Sequence, residues 1–423
     1  MQQELETYFD RLWPICRSVT GNGLRESLHI LRELVPMELV EVPTGTTCFD
    51  WTVPREWNIR DAWIETPDGR RIAQFKEHNL HIVNYSIPVN AEMDFEELDK
   101  HLHTIPELPD AIPYITSYYA DRWGFCLTHN EYRDLPRNGT YKVFIDSTLE
   151  PGSLTYGEAV LKGSSDREIL FSTYVCHPSM ANNELSGPLC QAFLYKALSQ
   201  MENRRYTYRF VFAPETIGVI AYLSQMGTHL MNHLDAGYVL TCCGDPGDFT
   251  YKRSKQKTAL CDRVAEHALQ YSDRRHRVIP FAVGGSDERQ YCSPGFNLPV
   301  GSIIRSKYQE YKEYHTSLDN KEFISFAAME ETVELLTEMV RILELNECYE
   351  NTVQFCEPQL GKRGLYPNHV NPTFNREALH NLLHLLSFAD GKTDLIDIAE
   401  ARNRYALVFE EAIASCREKD IIQ

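Results

Sequence analysis

Apolar residues change their spacing several times along this chain, and each change marks a different kind of element. Over residues 3–15 the apolar positions are Leu5, Tyr8, Phe9, Leu12 and Trp13, a spacing of three to four that predicts a helix. Thr20-Gly21-Asn22-Gly23 breaks it, a second helix is predicted through Leu24, Leu28, Ile30, Leu31 and Leu34, and Pro36 ends that one. Glu38-Leu39-Val40-Glu41-Val42 alternates as a half-buried strand does. From about Trp51 to Gly152 the texture becomes short alternating runs such as Ala62-Trp63-Ile64 and Tyr141-Lys142-Val143-Phe144-Ile145. Turn signals (Pro67-Asp68-Gly69, Arg137-Asn138-Gly139) separate these runs, which predicts a small β-rich insert rather than a βαβ unit.

Strands and helices then alternate from Leu154 to about Leu345. Strands are predicted at 169–175, 207–213, 237–241 and 299–304, and helices at 187–200, 217–232, 257–271 and 324–345. That order predicts a three-layer α/β domain with a mixed or parallel sheet. Beyond about Glu350, Pro358, Gly361, Gly364 and Pro367 mark a linker. A Leu-rich helix follows (Leu379, Leu382, Leu383, Leu386), then a break at Asp390-Gly391, a short helix near 396–401 and another at about 403–415. This is how a winged helix-turn-helix reads. The expected division is residues 1–55 with 153–347 as one discontinuous α/β domain, 56–152 as the insert and 350–423 as the winged helix.

Composition narrows the function classes. The chain has 423 residues, 43% hydrophobic and 24% charged, enough for more than one packed core. Its net charge of −18, from 42 basic and 60 acidic residues, argues against a nucleic-acid or anionic-membrane binder, which needs a basic face. Residues 351–423 hold 8 Lys/Arg against 10 Asp/Glu, so the winged module is expected to dock or to pair chains into a homo-oligomer, with no nucleic acid as partner. No apolar run approaches the roughly 20 residues that span a bilayer, so no membrane is expected. The N-terminal stretch lacks the basic start and apolar core of a secretory signal. The 12 Cys form no CxxC pair, and with Cys242-Cys243 adjacent they read as reduced thiols of a cytoplasmic protein.

The candidate chemistry sits where predicted strands end, the place where open α/β sheets bind ligands. One strand ends in Cys176-His177-Pro178 and runs into Asn182-Asn183-Glu184. A lone His is more often a core residue than a ligand, so the rest of the chain has to move that balance. The strand 207–213 ends on Pro214-Glu215, and a partly desolvated Glu is suited to act as a base; a helix-start Glu favoured by the macrodipole is the competing explanation. Gly284-Gly285-Ser286-Asp287-Glu288-Arg289 delivers three charged groups together, although capping alone would explain Ser286 or Asp287. In Tyr314-His315-Thr316-Ser317-Leu318-Asp319, a carboxylate four residues on could orient the imidazole. Two His and several carboxylates on separate loops suit one zinc of the two-His, one-carboxylate type with an open position for water. Neither a GxSxG elbow nor a P-loop nor a GxGxxG turn is present.

STYVCHPSMANNELSGP, APETIG, GGSDERQY and YHTSLDN, in this order, resemble the uncharacterised aminopeptidase-like proteins associated with bacterial polysaccharide biosynthesis. Those proteins are similar to the zinc aminopeptidase superfamily that includes glutaminyl cyclases. The resemblance extends to CRSVTGNGLRESL and FDWTVPREWNIRDAWI and covers nearly the whole chain. It implies an aminopeptidase-like domain, a β-rich insert and a C-terminal winged helix. By that resemblance His177 and His315 match the first and last metal-ligand His, and Glu215 matches the general base. Thr216 stands where a second ligand Glu would be, Asn183 where the bridging Asp would be, and Thr241 where another ligand Asp would be. The implied site is one zinc held by His177, Glu184 and His315, with Glu215 as base and Asp319 behind His315. Asp287 or Asn183 would be a further ligand or a substrate contact, and Arg289 or Arg305 would hold a substrate carboxylate. The implied activity is hydrolysis of an amide or peptide bond in a small peptide-like substrate. Two other expectations stand beside it: a non-catalytic binding or scaffold protein, and an acyl transferase or cyclase on the same fold.

Overall fold

The computed structural model describes residues 1–366 and 376–423, so Pro367 of the expected linker lies outside the described residues. Met1–Cys261 with Arg277–Glu334 form one compact unit, and Asp262–His276 with Leu335–Gln423 form a second.

The first unit is built on an eight-stranded sheet. Its strands lie in the order Glu38–Pro43, Ser153–Leu161, Thr207–Ala213, Glu168–Tyr174, Leu234–Leu240, Val300–Ile304, Phe249–Lys252 and His276–Ile279. Thr207–Ala213, Glu168–Tyr174, Leu234–Leu240 and Val300–Ile304 pair in parallel. Antiparallel strands flank them. Every residue of Glu168–Tyr174 and Thr207–Ala213 is buried, so these strands are mostly apolar without a half-exposed alternation, as strands covered on both faces are. Thr207–Ala213 lies on one side of Glu168–Tyr174 and Leu234–Leu240 on the other. Right-handed crossovers therefore place the helices Ser186–Ser199 and Ile217–His233 on opposite faces, giving the expected three-layer α/β architecture.

The β-rich segment carries a four-stranded antiparallel sheet in the order Arg71–Ile72, Glu56–Glu65, Tyr141–Glu150, Val89–Met93. Its inward residues Trp57, Ile64 and Val143 belong to the same hydrophobic cluster as Leu170 and Val211 of the large sheet and Tyr222 of the helix Ile217–His233. The insert is thereby packed into the α/β core.

Gly187, at the start of the Ser186–Ser199 helix, sets how closely that helix approaches the strand ends. A Cβ there would sit 2.5 Å from Thr173 Oγ1 and 2.6 Å from the Leu240 carbonyl oxygen. Backbone cannot yield cheaply, so Gly187→Ala is expected to destabilise the protein by about 1–3 kcal/mol, measurable as a shift of the denaturant midpoint without change of slope.

In the second unit Cys348–Glu350 and Asp390–Asp394 pair antiparallel beside the helices Arg376–Phe388, Leu395–Glu400 and Glu410–Glu418. Asp390-Gly391, expected as a simple break, instead opens a strand, with Gly391 at φ +74° making the turn. Asp394 caps the following helix by accepting from the Asp397 N–H at 3.1 Å. The expected helix at 403–415 is a short 3₁₀ turn at Ala406–Phe409 leading into Glu410–Glu418. Buried Ile421 and Ile422 close the unit. Among the described residues, no helix is long and apolar enough to cross a membrane.

Candidate active site

The parallel strands deliver their C-terminal residues to one cavity of about 630 Å³. Strand Glu168–Tyr174 leads into Cys176 and His177, and strand Thr207–Ala213 leads into Glu215 and Thr216; all four line the cavity, with Tyr114, Tyr118, Arg289 and His315.

His177 is 5% exposed. Its Nδ1 lies 3.0 Å from Glu184 Oε2 and its Nε2 3.6 Å from Glu215 Oε2. With Nδ1–H donating to Glu184, Nε2 is the ring nitrogen that faces Glu215, and it carries the lone pair whenever the ring is neutral. Burial works against a charge on this ring, but the hydrogen bond to Glu184 and the charges of Glu184 and Glu215 outweigh it and raise its pKa above the ordinary value. The ring is flanked by Tyr114, Tyr174 and His315, at centroid distances of 5.0, 5.3 and 5.4 Å. His315 stacks on Tyr314 at 3.9 Å. Burial and the neighbouring His177 lower the His315 pKa to about 3, so it is a neutral ring with a free lone pair.

Glu184 does not face the cavity as a third ligand beside the two His. It is 1% exposed and spends its oxygens behind His177, on the Cys176 N–H and on His177 Nδ1. Arg17 Nε lies 3.8 Å away and also donates to the His177 carbonyl at 3.1 Å. Cys176, His177 and Glu184 are the one group of His, Cys, Asp and Glu side chains among the described residues whose donor atoms all lie within 4.8 Å of one another. Their donors satisfy each other and a guanidinium sits against them, an arrangement that orients the His177 ring. The reason Glu184 points inward is local: Ala181–Leu185 forms a π-helical turn with all five residues buried.

Asp319 also differs from expectation. It makes no contact with His315; its two oxygens accept the N–H groups of Asn182 and Asn183 at 2.6 and 2.9 Å and so hold the start of that π-helical turn. Burial raises its pKa to about 7 against those hydrogen bonds. Arg305 is not among the residues that line the cavity. It is 5% exposed, donates to the carbonyls of Gly247 and Ala328, and pairs with Glu331 at 2.8 Å.

Asn183 and Thr241, where the resemblance puts ligand carboxylates, meet at Tyr174. The Tyr174 hydroxyl lies 2.5 Å from Thr241 Oγ1 and accepts from Asn183 Nδ2 at 2.8 Å. Asn183 Oδ1 is buried without a partner. Glu215 lines the cavity, with burial the main cause that raises its pKa. Asp287 is fully buried; one oxygen accepts the Thr216 N–H at 2.8 Å and the other has no partner. Burial first, then the Glu215 charge, holds its pKa well above the usual carboxylate range. Arg289 lines the cavity and donates to Thr216 Oγ1 at 2.9 Å, without a carboxylate within 4 Å among the described residues. Arg17, Tyr114 and Tyr118 were not identifiable from spacing, because they reach the site from segments far from His177 in sequence.

A mixed α/β sheet with a His, a Glu and a second His at neighbouring loop ends defines an aminopeptidase-like protein, here followed along the chain by a winged helix. The chain belongs to the family described as a domain of unknown function (DUF4910), matched over residues 7–346, followed by a winged helix-turn-helix match over 347–423. It is 46% identical over 399 residues, 94% of this chain and 90% of its relative, to a Clostridium acetobutylicum protein provisionally named as a polysaccharide biosynthesis protein with aminopeptidase-like domain. A crystal structure of a provisionally named peptidase from Clostridium acetobutylicum matches with TM-score 0.93 and 42% identity over 100% of this chain and 96% of that one. The zinc aminopeptidase BSAP of Bacillus subtilis shares the fold at TM-score 0.56 and 11% identity, over 81% of this chain and 94% of that one.

Proposed function

We propose that the protein hydrolyses an amide or peptide bond, with Glu215 as general base and one zinc at His177 and His315. The observation that carries this is the polarity of His177: Glu184 takes Nδ1, leaving Nε2 toward Glu215 in a cavity shared with His315. The donor chemistry fits zinc: two imidazoles, one of them kept neutral by burial, and Asn183 Oδ1 as a buried acceptor lacking a partner. When bound there, zinc supplies polarisation of the scissile carbonyl and a lowered pKa for the attacking water. Glu215, desolvated and 3.6 Å from His177, accepts the water's proton and passes it to the leaving nitrogen. Arg289, with no carboxylate within 4 Å among the described residues, lines the cavity where it can hold a substrate carboxylate. The name of the Clostridium relative makes an amide-bearing substrate of polysaccharide biosynthesis part of this proposal.

A second reading, ligand binding without turnover, is favoured by one observation: the Tyr174 hydroxyl ties Asn183 and Thr241 together where carboxylates would otherwise bind metal. Metal analysis of protein purified without chelators decides between them. About one zinc per chain is expected, lost in His177→Ala and in His315→Ala. Wild-type protein that takes up no zinc on reconstitution would establish the binding reading instead.

A further inference from the structure

Within the motif Gly284-Gly285-Ser286-Asp287-Glu288-Arg289, the side chains of Asp287 and Arg289 meet at one residue, Thr216. Thr216, the residue after Glu215, has φ +63° and ψ −82°. That is the strained γ-turn region, where a β-branched residue is an outlier that persists only when its surroundings enforce it. Two side chains of the motif do so. Asp287 accepts the Thr216 N–H at 2.8 Å, and Arg289 donates to the Thr216 hydroxyl at 2.9 Å. Thr216 is also the N-cap of the helix Ile217–His233, yet its hydroxyl makes no cap hydrogen bond, so the usual stabilising use of a Thr at this position is given up. The motif is itself anchored. Lys252 Nζ donates to the Gly284 carbonyl at 3.0 Å and pairs with Glu288, and both side chains are fully buried. Gly285, at φ +108°, leaves no room for a side chain because a Cβ would lie 2.1 Å from the Tyr308 ring.

We propose that Asp287 and Arg289 are positioning residues that grip Thr216 in its strained conformation and thereby hold the Glu215 carboxylate against His177. This rests on the reading of Glu215 as base. Glycine adopts positive φ at no steric cost, so a glycine at 216 makes the grip dispensable, and that gives the test. Turnover is followed with a panel of aminoacyl 4-nitroanilides. Asp287→Ala is expected to lower kcat about 10²-fold with KM changed less than about threefold, as small misplacements of a reacting group do. Asp287→Asn, whose amide oxygen can still accept the Thr216 N–H, recovers at least about tenfold of that loss. Thr216→Gly added to Asp287→Ala also recovers about tenfold or more. A double variant as slow as Asp287→Ala overturns the proposal. A substrate-free arm measures Tm: the double variant must lose less than the sum of the single losses, and additive losses count equally against the grip. If Glu215→Gln leaves turnover intact, the base assignment fails, and the Tm arm still decides whether the grip exists.

Discussion

Glu215→Gln is expected to lower kcat by about 10²–10⁴-fold, the range a positioned general base contributes, while zinc content and Tm stay at the wild-type values. Glutamine keeps the shape of the side chain and its place beside His177 but cannot take a proton. Glu215 lies at the cavity wall with a quarter of its side chain exposed, and His177 keeps its hydrogen bond to Glu184 when the charge at 215 is removed. Rapid-mixing or steady-state assays on an amide substrate, run beside metal analysis, separate three outcomes. Loss of turnover with zinc retained supports the base. Loss of both makes Glu215 a ligand, and unchanged turnover removes it from the mechanism.

Glu184→Ala is expected to cost about 3–5 kcal/mol of stability, the range seen when one partner of a buried ion pair is removed. Arg17 and Glu184 are both fully buried side chains 3.8 Å apart. Arg17 donates to the carbonyls of Leu12 and His177, and its Nη2 has no partner, so no other carboxylate stands in when Glu184 is lost. The Cys176 N–H and His177 Nδ1 lose their acceptor at the same time. Urea unfolding gives the measurement, and a loss below about 1 kcal/mol would show that the pair is solvated and contributes as little as a surface ion pair. The same variant frees the His177 ring to rotate. Any zinc it still binds should therefore be held more weakly, by about 10–100-fold, as removal of a group behind a ligand does.

The elements were largely legible in the sequence because each carries its own periodicity. The strands at 207–213 and 169–175 and the helices beginning near 187 and 217 fall within a few residues of their places in the structure. Asp390-Gly391 was less legible: Asp and Gly are turn formers, and only pairing with Cys348–Glu350 makes that segment a strand. At the site, His177, Glu215 and His315 could be singled out because strand-end positions and four ordered motifs constrain them. Their surroundings could not. Whether Glu184 meets the cavity or backs His177 depends on a π-helical turn, and a one-residue change of helical phase moves a side chain by about 100°. Asp319 four residues after His315 looked suited to orient it, yet in the folded chain it serves the backbone of Asn182 and Asn183, a pairing set by packing and not by spacing.

The sequence by itself determined the α/β order, the winged module and the loop ends on which a His, a Glu and a second His are carried, because local spacing and strand ends are properties of neighbouring residues. Only the tertiary structure decided which groups face the cavity. It placed Arg17, 160 residues before His177, against the back of that His. It turned Glu184 into an orienting group and bound Asp287 and Arg289 to Thr216. The physical reason is burial: once these charges leave water, each must find the partner that packing brings nearest, and that partner is set by the fold and not by distance along the chain.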